Sequence, residues 1–486
     1  MMSLDRISAI TEGMIIAQES VLGMTVKGIA NDTRKDCHDK LYVAIQGVNF
    51  DGHNYISTAQ QAGAVAALVN REAQQSKEST HFDIPQIQVS DTIKAMGKIA
   101  SVWRKDFDIP VLAITGSAGK TTLKELTGCI LSQHRKGIVT QGNLNNEVGV
   151  PLTLTRLTKE DQFAVIEMGM NHAGEIDYLS NMTAPNVAII NNAAHAHLDD
   201  LGSVEAVAYA KGEIINGLVD DGVLIFNGDD EYASLWQKLA KQKRTVSFGL
   251  SKLADIFADY ETTETGSKIF VKGCYGELRI NLPLQGEHNV RNALAAIAAC
   301  FEMGCSKGEI KSGLANYKPL DNRGGSIAFE GLKIINDTYN ANPASMKAAI
   351  DILAIQAKNA ESQGKKVNLF LVLGDMGELG DQQVILHEYV GSLAKGIVDY
   401  FYCCGNHATD YMRGFGVNHQ NGVVFQNIQT LSEELVEKLA SRNKKELSIV
   451  LVKGSRFTAM ERVVDYLIEQ EKQQYENNTG LSEGRG

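Results

Sequence analysis

The apolar run Val111–Thr115 ends in Gly116-Ser117-Ala118-Gly119-Lys120-Thr121, and a helical pattern follows over residues 120–133. A strand, a glycine-rich turn and a helix in that order restrict the chain to an α/β class whose parallel strands present their carboxyl ends to a ligand. Small residues let successive backbone N–H groups converge on phosphate oxygens, and the helix N-terminus adds its positive dipole. In such a loop Lys120 neutralises the β- and γ-phosphates and the hydroxyl of Thr121 ligates magnesium, with Thr122 in the same ATP-binding set. The full phosphate-loop pattern has a further glycine where Ile114 stands, so this is a shortened G-x-x-G-K-T form. A helix start that merely contains Gly, Lys and Thr is the plainer alternative. The strand before and the helix after favour nucleotide binding.

From this loop onward, apolar runs at 164–168, 187–191 and 223–226 alternate with helical patterns at 204–218 and 289–303. Continuous apolar strands separated by helices indicate a parallel sheet covered on both faces. The same alternation returns with strands at 333–337, 367–373, 400–403 and 448–452, and Asn342-Pro343 reads as a helix cap and first turn. Residues 357–366 read as an exposed polar connection. Ahead of the loop, strands at 41–45 and 64–69 with a helix at 55–63 form a smaller unit that closes near Asp108-Ile109-Pro110. The expected division is a small N-terminal α/β domain (1–108), a central phosphate-loop domain with a mostly parallel sheet (109–321), a C-terminal Rossmann-like domain (322–472) and a disordered tail (473–486).

At 486 residues the chain has material for about three cores. Its net charge is -11, and no basic run is longer than pairs such as Lys365-Lys366 and Lys444-Lys445, which argues against nucleic acid as a partner. Seven scattered cysteines without a C-x-x-C pair fit a reducing compartment. There is no apolar signal core and no stretch long enough to span a membrane, so a cytoplasmic protein is expected.

Glu167 ends the strand at 164–168, one strand on from the loop, where a carboxylate can hold Mg²⁺. A solvated strand-end glutamate is the plainer reading, but Met-Gly-Met-Asn-His follows it. His195 and His197 follow the next strand, and alone an H-x-H is more often structural. Lys211, in Ala-Lys-Gly-Glu, reads by itself as a solvated or anion-pairing lysine.

Several runs together resemble the Mur ligases: the short loop, GNLNNEVGVPLTL at 142–154, EMGMNHAGEI from Glu167, AHLDDLGS from Ala196, AKGEI from Ala210, GEHNVRNALAA from Gly286 and NDTYNANPASM from Asn336. Matches run in order from Asp32 to about Arg462. GDMGELG from Gly374 points, within the family, to the members that join D-alanyl-D-alanine to UDP-N-acetylmuramoyl-tripeptide through an acyl phosphate. The resemblance implies ATP, two Mg²⁺ and a carbamylated Lys211. Thr121 and Glu167 would hold one ion, and His197 with the Lys211 carbamate the second; Lys120, Glu167, His197 and Lys211 form the implied catalytic set. Asn292 falls at the adenine-side asparagine, and Arg323 and Asp337 at residues that reach ATP from the C-terminal domain.

Thr33, Arg34, Asp51 and His53 match UDP-sugar-binding segments, although on spacing alone they read as a capped turn and loop. Asn145 and Asn146 are implied near the muramoyl-peptide, with Asn340, Lys453 and Ser455 on the dipeptide side. The chain departs from the family pattern at Ser117-Ala118 and at Asp199, Asp200 and Leu201, without loss of a metal or phosphate group. A monomer is expected. A Mur-type ligase adding a single amino acid, a folylpolyglutamate synthetase and an ATP-binding regulatory module are the competing readings.

Overall fold

The computed structural model describes residues 1–17, 20–21, 23–72, 84–416, 421–443 and 445–479. Its three main sheets follow one another along the chain. The first has the order Met14–Ile16, Gln86–Val89, Ala66–Asn70, Leu41–Val43, Ile29–Ala30, parallel except for its first pair. The helix Thr92–Lys105, capped by Asp91, leads from this sheet toward the phosphate loop. Arg104 donates to the carbonyls of Thr183 and Phe107 and so fixes that junction.

Nine strands form the second sheet. Val111–Thr115 lies between Ala164–Glu167 on one side and Val187–Ile190 on the other, both parallel to it. The chain winds outward first to one side of Val111–Thr115 and then to the other, so the end of that strand is a topological switch point. Buried residues occupy every position of these strands. That continuous burial is why they read as unbroken apolar runs. Beyond Val223–Asn227 and Arg244–Gly249 the sheet adds Ile256–Thr262 in parallel, then Ser267–Gly273 and Leu278–Leu282 antiparallel.

The third sheet runs Gly325–Phe329, Leu332–Asp337, Leu447–Lys453, Val367–Gly374, Tyr400–Cys404, Gly422–Phe425, with only the first pair antiparallel. The α/β class and the mostly parallel central and C-terminal sheets match the expectation from sequence.

Three sequence expectations are corrected. Residues 357–362 continue the helix Pro343–Ser362 instead of forming a connection, because Ala357 and Ala360 turn small apolar side chains into the core. Residues 473–479 extend the helix Glu461–Thr479, while 480–486 of the expected tail lie outside the described residues. The helical pattern at 204–218 is an α-helix only over Val204–Gly212, followed by a 3-10 turn, Glu213–Gly217. Lys444 of the longest basic runs also lies outside the described residues.

The short helix Val204–Gly212 carries Lys211 and is held from beneath by Trp236. This indole is fully buried and donates from Nε1 to the Ala208 carbonyl at 3.0 Å. Truncating it removes a large packed side chain and the indole's hydrogen bond to the helix. Trp236→Ala is expected to lower stability by about 3–5 kcal/mol, read from urea unfolding.

Candidate active site

The carboxyl ends of the central and C-terminal sheets face a common cavity of about 1850 Å³. It is lined by Ser117 to Thr122, Asn145, Asn146, Glu167, His197, Asn292, Arg323, Asp337, Asn340, Lys453 and Ser455. Gly116 and Lys211 lie outside that lining, as do the N-terminal candidates Thr33, Arg34, Asp51 and His53.

The phosphate loop is braced from the next strand. The amides of Ser117 and Ala118 donate to the backbone and side-chain oxygens of Asn192 at 3.1 and 2.9 Å. Asn191 donates from Nδ2 to the Ala118 carbonyl and to Oδ1 of Asn292, both at 2.9 Å. Gly119 has φ +79°, and a Cβ there would sit 2.6 Å from those two asparagine side chains, so this position demands glycine on two grounds. The helix Lys120–Leu131 begins with the bond from Leu123 to Gly119. Its first amides, at Lys120, Thr121 and Thr122, therefore have no intrahelical acceptor and face the cavity.

Lys120 donates to the Gly116 carbonyl at 2.6 Å. Burial lowers its pKa, and Glu167 opposes that shift. Glu167 is almost fully buried. It accepts from the Thr121 hydroxyl on Oε2 and from Asn145 Nδ2 on Oε1, each at 2.8 Å. Two hard oxygen donors from separate elements thus meet at the mouth of the loop, a set suited to Mg²⁺.

Lys211 is 1% exposed, and no hydrogen bond or ion pair holds its ammonium among the described residues. Burial drives its pKa well below the ordinary lysine value, and the nearby charge of Lys120 adds to this. His197 caps the helix Leu198–Leu201 at φ 58°. Its Nδ1 lies 2.6 Å from Oε2 of Glu378 without a well-formed hydrogen bond between them. We read it as a close electrostatic contact.

In the C-terminal unit, Lys453 does not present a free cation. It donates to Asp337 at 2.6 Å and to the Asn340 carbonyl at 2.9 Å while almost fully buried, so the two candidates act as one pair. Ser455 accepts from the Gly377 amide at 2.9 Å and donates to the Ala341 carbonyl at 3.2 Å. Arg323 stacks over the Tyr339 ring at 3.6 Å.

In the N-terminal unit, Arg34 is exposed and pairs with Asp32 at 2.9 Å. His53 is buried with both ring nitrogens engaged, Nδ1 on Asp51 at 2.6 Å and Nε2 accepting from the Asn70 amide at 2.9 Å. It shapes its loop and offers no free nitrogen.

Three family models match the chain: "Mur ligase family, catalytic domain" over residues 25–104, "Mur ligase middle domain" over 114–300, and "Mur ligase, glutamate ligase domain" over 323–456. The UDP-N-acetylmuramoyl-tripeptide–D-alanyl-D-alanine ligase of Escherichia coli (strain K12) is 38% identical over 452 residues, covering 92% of this chain and 94% of that protein. The chain belongs to the Mur ligase family. The ligase of the same name from Bacillus subtilis (strain 168) is 35% identical, covering 91% of this chain and 93% of that protein. A crystal structure of MurF from Acinetobacter baumannii superposes with a TM-score of 0.85 at 32% identity, covering 96% of this chain and 98% of that one.

Within this Mur ligase fold several cavity residues carried no sequence signal of their own. Asn191 and Asn192 were legible only as the end of an apolar strand, and Glu378 only as part of a glycine-rich run. Lys124 lies behind that lining, fully buried, 3.0 Å from Glu125 and 3.8 Å from Glu167. His288 was passed over inside the Asn292 motif.

Burial pushes the His288 imidazole down to about 4, with Asp337 pulling the other way and Lys453 pushing down. Its folded value lies below the ordinary 6.5, so its contribution to stability is complete above pH 6.5 and is lost as pH falls toward 4. Between pH 7 and pH 4.5 the wild type is expected to lose about 2–3 kcal/mol more than His288→Gln in urea unfolding.

Proposed function

We propose that this chain is an ATP-dependent ligase that joins D-alanyl-D-alanine to UDP-N-acetylmuramoyl-tripeptide in peptidoglycan precursor synthesis. The observation that carries the reading is the meeting, in one cavity, of the phosphate loop, the Thr121–Glu167 pair and the C-terminal Asp337, Lys453 and Ser455. The names of full-length relatives supply the substrates.

A carboxylate is a poor electrophile, so amide synthesis in water needs it activated. Transfer of the γ-phosphoryl group to the tripeptide carboxylate gives an acyl phosphate; the dipeptide amine then attacks its carbonyl and phosphate leaves. For the chain's own residues this is positioning and charge neutralisation. The amides of residues 120–122 and the Lys120 ammonium bind the triphosphate. Asn292 and Arg323 hold the nucleotide, and Asn145 and Asn146 the muramoyl-peptide. Asn340 and Ser455 face the incoming dipeptide, with Lys453 acting through Asp337. We assign Thr33, Arg34 and Asp51 to the uridine nucleotide, with His53 shaping their loop.

Thr121 and Glu167 fit one Mg²⁺, and His197 with Lys211 a second if the lysine is carbamylated. Carbamylation requires a neutral amine, and an unpaired buried lysine of depressed pKa meets that condition. Bound there, the two ions would offset repulsion between carboxylate and triphosphate. One chain supplies every residue named, so the reading requires no second subunit. No described helix is long and apolar enough to cross a membrane. We place the enzyme in the cytoplasm with its nucleotide-linked substrate.

The test is phosphate release from ATP with UDP-N-acetylmuramoyl-tripeptide, comparing D-alanyl-D-alanine with single amino acids. Release dependent on the dipeptide is expected. Equal rates with a single amino acid point to another Mur-type ligase, and no acceptor-dependent release points to a regulatory module. Lys211→Ala is expected to lower the rate by about 100-fold or more, with partial recovery in formate or acetate. A wild-type rate in that variant overturns the carbamate.

A further inference from the structure

Two non-glycine residues with left-handed backbone meet each other across the central and C-terminal units: His197 at φ 58° and Glu378 at φ 62°. Their contact is more than one side-chain approach. The Leu198 amide donates to the Glu378 carbonyl at 2.9 Å, and the Gly380 amide donates to Oδ1 of Asp199. The Glu378 carboxylate lies against the His197 ring and remains 55% exposed toward the cavity.

Left-handed backbone at a residue with a Cβ is strained, and such strain persists where surrounding contacts impose it. Here the loops that carry the two strained residues are bonded to each other through Leu198, Asp199, Glu378 and Gly380. The neighbour of Glu378 extends the connection, since the Gly377 amide donates to Ser455. A single five-residue path, Ser455–Gly377–Glu378–His197–Leu198, therefore runs from the proposed dipeptide side to the proposed metal side. Asp199 takes part through a side chain that stands where the family pattern has another residue.

We propose that Glu378 is a positioning residue whose docking on the 197–199 loop sets the His197 imidazole and couples closure of the C-terminal unit to assembly of the site. This rests on the proposed metal-side role of His197. A carboxylate held 2.6 Å from Nδ1 favours one ring orientation by its charge, and the backbone bonds between the two loops keep it there. When the units separate, the same histidine loses that support, so the site is complete only when the dipeptide side is delivered with it.

Glu378→Gly removes the carboxylate and relieves the backbone strain at once, and Glu378→Gln keeps the size without the charge. Both are compared with wild type by thermal unfolding, by kcat and KM for each substrate, and by the radius of gyration from X-ray scattering. Scattering is recorded with Mg²⁺, a non-hydrolysable ATP analogue and UDP-N-acetylmuramoyl-tripeptide. Expected for Glu378→Gly are an equal or higher melting temperature, a kcat lowered about 10–100-fold and an unchanged KM for ATP. Its ligand-induced compaction should also be lost, with Glu378→Gln intermediate in kcat and compaction. Wild-type kcat together with wild-type compaction in Glu378→Gly overturns the proposal, and so does a fall in kcat matched by a fall in melting temperature. If wild type itself releases no acceptor-dependent phosphate, the functional reading fails instead, and scattering still decides whether Glu378 governs closure.

Discussion

A lysine ammonium buried without an anion is costly to keep charged, and the site is arranged around that constraint. Lys211 lies close enough to Lys120 for the two charges to repel, and no carboxylate among the described residues pairs with it. Lys120 feels the carboxylates of Glu167 and Glu378, and Lys124 lies near Glu125 and Glu167, so Lys211 differs from both in lacking an anionic neighbour. A bound triphosphate would place anionic charge beside Lys120, and a carbamate would remove the positive charge of Lys211, so either relieves the repulsion between them.

That arrangement depends on the direction of the strands. Loops leaving Val111–Thr115, Ala164–Glu167 and Val187–Ile190 open on one side because those strands are parallel, and the loops after Leu332–Asp337, Val367–Gly374 and Leu447–Lys453 do so in the next unit. The two sets of carboxyl ends face each other across the cavity. A nucleotide held by one sheet and an acceptor held by the other then meet without either sheet changing shape.

The parallel strands were legible in the sequence because burial on both faces leaves unbroken apolar runs. The outer strands Ile256–Thr262, Ser267–Gly273 and Leu278–Leu282 were not, since burial alternates along them and charged residues interrupt the pattern. The end of the helix Pro343–Ser362 was hidden because its last buried contacts are two alanines among polar residues. In the site, the phosphate loop could be read locally, because its chemistry is backbone geometry within six residues. The isolation of Lys211 could not, because an absent partner is a property of three-dimensional packing; only family resemblance singled the residue out. The pairing of Lys453 with Asp337, 116 residues earlier, has no local signature and turns an apparent anion-binding cation into the support of a carboxylate.

The bracing of the phosphate loop bears on the missing glycine at Ile114. Ile114 is a buried strand residue whose carbonyl accepts from the Met168 amide, so the turn begins only at Gly116. A shorter loop has fewer backbone groups with which to hold its own shape. Here Asn191 and Asn192 supply that shape from the end of the adjacent strand, occupying the Ser117 and Ala118 amides and the Ala118 carbonyl while leaving the later amides to the ligand. The short loop is thus half of a composite whose other half lies some 75 residues downstream. Its preorganisation is a property of the sheet register between Val111–Thr115 and Val187–Ile190, and the glycine count of the motif alone does not measure it.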